Sequence, residues 1–148
     1  MCNPFLLCVV LVFTADRDET QLAKAPKVAL EREVGDLQGY YVCKGVEGSG
    51  KTYSGVAVIT KKNEVYVIQW VVGSASTFTG IGIRQSNTFA ASWAMPNDKG
   101  GIIRGVNQYR IESGSDGPRL VGRWATLPGS GVMQSETLTY LRQLEPEE

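Results

Sequence analysis

The stretch Gly45-Val-Glu-Gly-Ser-Gly-Lys-Thr52 reproduces, residue for residue, the phosphate-loop pattern of Gly, four residues, then Gly-Lys-Thr. In a nucleotide site that spacing curls backbone N–H groups around the phosphates and sets the Lys51 charge against them. Thr52 would then hold magnesium, and a helix would open with its N-terminus at the anion. The next residues are instead Tyr53-Ser-Gly-Val-Ala-Val-Ile-Thr60, alternating and β-branched, which continue as a strand. No later apolar strand ends in the Asp that would hold the metal. Gly45 to Thr52 is therefore expected to be a hairpin loop, with no nucleotide bound.

Nucleophilic and metal chemistry are constrained by what the chain lacks. It contains no His, which removes the usual base for a Cys or Ser nucleophile and the commonest transition-metal ligand. Its 3 Cys are Cys2, Cys8 and Cys43, and the first two lie in the N-terminal run of residues 1–15. If that run is removed, Cys43 has no disulfide partner and too few soft ligands surround it for structural zinc. Cys43 is then expected to be a small buried hydrophobe. Neither metal nor cofactor is expected.

Two further groups are candidates. Trp70, Trp93 and Trp124 each take the inward parity of a strand, so they either fill a core or wall a cup for a sugar or apolar ligand. Glu136 shares the face of Leu138, and if Leu138 points inward so does the carboxylate. It would then need a partner such as Arg84, Arg104 or Arg123; the alternative is a position at a wet rim. A catalytic acid would want a second carboxylate nearby, and spacing places none. The candidate ligand-binding set is Tyr66, Trp70, Arg84, Trp93, Trp124 and Glu136, with no catalytic residue.

The elements that must position these groups are strands. In Glu64-Val-Tyr-Val-Ile-Gln-Trp-Val-Val-Gly73, Tyr66, Ile68 and Trp70 share one parity and Val65, Val67 and Gln69 the other, the period of a pleated strand. The next strand, Ser76 to Ile83, carries Gly80 and Gly82 on alternate positions, leaving bare backbone for neighbouring rings. Similar segments run over 39–44, 53–60, 87–94, 102–112, 119–126 and 132–141, with a bulge expected near Gly105 and the clearest turn at Pro96-Asn-Asp-Lys-Gly-Gly101. Eight strands spaced about ten residues apart, with no helix between them, must pair antiparallel. The expected fold is all-β: an up-and-down meander closed or nearly closed into a barrel of lipocalin- or avidin-like architecture. Its inward set is Tyr41, Cys43, Tyr53, Tyr66, Ile68, Trp70, Phe89, Trp93, Tyr109, Leu120, Trp124 and Leu138. Gly55, Gly80, Gly82 and Gly122 would leave room for the rings opposite.

The remaining chain sets the organisation. Residues 1–15 hold an apolar run, Phe5 to Phe13, too short to span a bilayer and of signal-peptide type; 16–36 is a charged linker, 37–142 the barrel and 143–148 a tail. The 148 residues suffice for one core, and 15 basic against 15 acidic residues give no net field for nucleic acid or an anionic membrane. A secreted or periplasmic location is expected, with no membrane span once the signal is cut.

The ordered series Gly39-Tyr-Tyr-Val, Ser49-Gly-Lys-Thr-Tyr-Ser-Gly55, Val65-Tyr-Val-Ile-Gln-Trp70, Phe78-Thr-Gly-Ile-Gly-Ile83, Leu120-Val-Gly-Arg-Trp124 and Ser135-Glu-Thr-Leu138 resembles a family of small secreted bacterial β proteins of planctomycete type. Its members are mostly uncharacterised, and some carry a fibronectin-binding label. The family brings no catalytic residues to transfer. The expected function is a secreted, non-enzymatic binding or surface-interaction module, for a small apolar or sugar ligand or a host or envelope surface protein. The alternatives are an envelope-associated structural domain with a filled core, and a hydrolase-like enzyme using an inward carboxylate.

Overall fold

The structure is a computed structural model that describes residues 34–73, 76–127, 129 and 131–145. The expected signal peptide lies outside the described residues, as does most of the expected linker. Among the described residues there is no helix. Eight strands follow one another: β1 (Gly39–Val46), β2 (Thr52–Lys62), β3 (Val65–Val72), β4 (Ser76–Gln85), β5 (Thr88–Pro96), β6 (Ile102–Ser113), β7 (Pro118–Leu127) and β8 (Gln134–Arg142). Each pairs antiparallel with the next, and β8 returns to β1, so the meander is a closed barrel. Closure leaves no edge with unpaired backbone groups.

Strict alternation fixes the two faces. On β3, Tyr66, Ile68 and Trp70 are buried while Gln69 and Val71 are exposed; on β6, Asn107, Tyr109 and Ile111 are buried while Val106, Gln108 and Arg110 are exposed. All twelve residues expected inward take the inward parity, nine of them in the buried core and Tyr53, Trp93 and Trp124 partly exposed. The register runs unbroken through Gly105, which faces Trp93 on one side and Thr126 on the other, so the expected bulge is absent there. The irregularity lies instead at Tyr40/Tyr41, where β1 meets β8. Gly105 serves another purpose: a methyl group built on it would overlap the Trp93 indole. Gly45 is related in the same way to the Tyr53 ring. These two glycines let large rings lie flat across the neighbouring strand.

The two ends of the barrel differ. Leu37 is wholly buried, and its carbonyl accepts from the Tyr41 hydroxyl at 2.7 Å. Arg84 donates to the Val34, Gly35 and Ser86 carbonyls at 2.7, 2.6 and 2.9 Å, tying the segment before β1 to the β4–β5 turn. Above this plug Tyr66, Phe89 and Tyr109 pack edge-to-face and stacked at centroid distances of 5.6 and 6.2 Å. This half is filled. The β1–β2, β3–β4, β5–β6 and β7–β8 connections lie at the other end. The phosphate-loop pattern there is a hairpin connection, closed by Glu47 N–H to Lys51 O and Gly50 N–H to Glu47 O, both 2.8 Å, with Thr52 entering β2.

Candidate functional site

Toward that second end the interior is open, with a cavity of about 190 Å³. An eight-stranded barrel has room for one small ligand once side chains have filled the rest. Aromatic rings wall it. Phe78 meets Trp93 at 5.1 Å between centroids, Trp93 meets Trp124 at 6.2 Å, and Trp124 meets Tyr53 at 6.2 Å, all edge-to-face. Trp70 is buried and forms a further part of the wall. Val72 and Ser76 line it where β3 passes to β4, and Glu47 where β1 passes to β2.

Glu136 lies at the cavity wall, 5% exposed, and its carboxylate collects donors from three strands. One oxygen, Oε2, accepts from the Tyr53 hydroxyl at 2.9 Å and the Cys43 thiol at 3.1 Å. The other, Oε1, accepts from the Tyr109 hydroxyl and, at 3.4 Å, from Asn107 Nδ2. The network continues outward to the rings. Trp124 Nε1 donates to the Tyr53 hydroxyl at 2.7 Å, Trp93 Nε1 donates to Asn107 Oδ1 at 2.6 Å, and Asn107 Nδ2 donates to the Tyr109 hydroxyl. Glu136 is thus the hub from which two of the tryptophan walls are held in orientation. Trp70 Nε1 is different: it is buried and has no acceptor among the described residues.

Protonation follows from this geometry. Burial and then the Glu136 charge push the Cys43, Tyr53 and Tyr109 protons well above the ordinary ranges for thiol and phenol. The Cys43 thiol is therefore held as a donor and not as a reactive thiolate. Among the described residues no three of His, Cys, Asp and Glu gather as they would around a metal ion.

Of the candidate residues, Trp70, Trp93, Trp124 and Glu136 come together around the cavity. Tyr66 and Arg84 do not. Tyr66 packs on Phe89 in the filled half, and Arg84 grips the plug, so neither lies in the cup. The arginine partner expected for Glu136 is also corrected: its charge is met by two phenols, a thiol and an amide, while Arg104 and Arg123 stay exposed on the outer face. Glu136 is not at a wet rim either. Phe78, Asn107 and Glu47 are site residues that the sequence pattern alone did not single out. Asn107 shares the parity of Tyr109, which was the available signal; Glu47 sits in a loop and offered none.

No protein-family model matches the chain, and no curated protein matches it either.

Proposed function

We propose that the domain is a non-enzymatic binding module that takes one small molecule into the aromatic cup, in a secreted or periplasmic setting. The observation that carries this reading is the cavity itself, bounded by Trp70, Trp93 and Trp124, in a barrel whose other half holds the buried rings of Tyr66, Phe89 and Tyr109. Its size is of the order of the ~150 Å³ apolar cavity known to accept benzene. Cups with apolar walls and a few fixed polar groups are the usual form of a small-molecule site. Against catalysis stands the hub: the carboxylate is engaged by four donors, and the Tyr53, Tyr109 and Cys43 protons among them are tightly held, so none of these three is poised to exchange a proton near neutrality.

The test is tryptophan fluorescence and thermal shift against a panel of monosaccharides, short alcohols, simple aromatics and small ammonium compounds. At least one member should change emission and raise Tm in the wild type, and Trp93→Ala should abolish both responses. A panel without effect on either readout overturns the proposal in favour of a structural barrel.

A further inference from the structure

The charge and hydrogen-bonding state of the cup narrow the class of ligand. Among the described residues its lining contains two carboxylates, Glu136 at depth and Glu47 at the mouth, and no Lys or Arg. Around them stand the rings of Trp70, Phe78, Trp93 and Trp124. Aromatic faces carry negative potential, so a ring that turns its face to a bound molecule acts in the same sense as the carboxylates: it attracts a cation and repels an anion.

The second constraint comes from lone pairs. A carboxylate offers about four acceptor sites. Those of Glu136 are taken by Cys43, Tyr53, Asn107 and Tyr109, two on each oxygen. Glu136 therefore supplies charge without a vacant acceptor. A primary ammonium or a sugar brought to this depth would leave N–H or O–H donors unpaired beside it, which is costly in a buried site. A cation whose positive carbon shell has no donors escapes that penalty and gains the rings. On this basis, which rests on the cup being a binding site, we propose that the ligand is a small quaternary ammonium compound.

Choline, its uncharged isostere 3,3-dimethyl-1-butanol and its N–H-bearing counterpart ethanolamine separate these elements, with tryptophan emission and calorimetry as readouts. Choline should bind at least ten-fold more tightly than either analogue. Glu47→Gln should weaken choline several-fold and leave the neutral isostere unaffected. Equal binding of 3,3-dimethyl-1-butanol overturns the charge requirement, and equal binding of ethanolamine overturns the donor-free requirement; in both cases the cup remains a binding site. If choline fails while another member of the broader panel binds, the cation proposal falls alone. If nothing binds, the cup reading falls with it.

Discussion

Removing the Glu136 carboxylate is the sharpest perturbation of this barrel. In Glu136→Ala four donors lose their acceptor at once: the Tyr53 and Tyr109 hydroxyls, the Cys43 thiol and the Asn107 amide. A hydrogen bond to a charged group contributes about 1.5–3 kcal/mol, so the two phenols alone account for roughly 3–6 kcal/mol. The thiol and the 3.4 Å amide contact add less, and water entering the cavity restores part of the loss. Set against a typical total of about 5–15 kcal/mol, a loss of this size is severe. Glu136→Gln keeps the shape and one acceptor oxygen but presents an NH₂ group where an oxygen had accepted, so it should cost about half as much, roughly 1.5–3 kcal/mol. Urea unfolding followed by tryptophan emission measures both variants, with the slope m checking that two-state behaviour holds. Folded Glu136→Ala should also emit differently from wild type, because Trp124 and Trp93 are anchored through Tyr53 and Asn107. If Glu136→Ala lies within about 0.5 kcal/mol of wild type, the range of an ordinary surface change, the hub assignment is wrong.

The packing and the protons give two more expected outcomes. Gly105→Ala places a methyl group on the Trp93 indole and should destabilise the barrel by about 1–3 kcal/mol in urea unfolding, whereas Gly35→Ala, which meets nothing, should be neutral; equal effects at the two sites refute the close-packing account. The Tyr41, Tyr53, Tyr109 and Cys43 protons are all held above their ordinary values of 10.0 and 9.0, so the folded state keeps protons that the unfolded state releases. Stability should be level with respect to these groups below pH 9.0 and decline progressively above it, and a urea midpoint that stays flat or rises from about pH 8 to 10.5 contradicts this.

The strand plan was readable because period-2 alternation is written locally, in runs such as Tyr66, Ile68 and Trp70, and short turns leave antiparallel neighbours as the only pairing. The surroundings of Glu136 were less readable. Its partners come from β1, β2 and β6, and which side chains meet across a barrel interior depends on closure and register, which no single stretch encodes. An arginine partner was the natural expectation for a buried carboxylate. The barrel instead supplies neutral donors, which avoids burying a second charge. Tyr66 illustrates a related limit: parity placed it inside, but its height along the axis, which decides between plug and cup, is set by the stagger of the strands. The same holds for Gly45 and Gly105, whose ring neighbours lie on adjacent strands.

The return of β8 to β1 also shapes how such a molecule comes apart. With a ladder on both sides of every strand, no terminal strand can peel away by itself; opening anywhere breaks two rows of bonds at the same time and drains the shared interior. Slow amide exchange should therefore be lost from all eight strands in one concerted event, and the cup at one end would vanish together with the solid packing at the other.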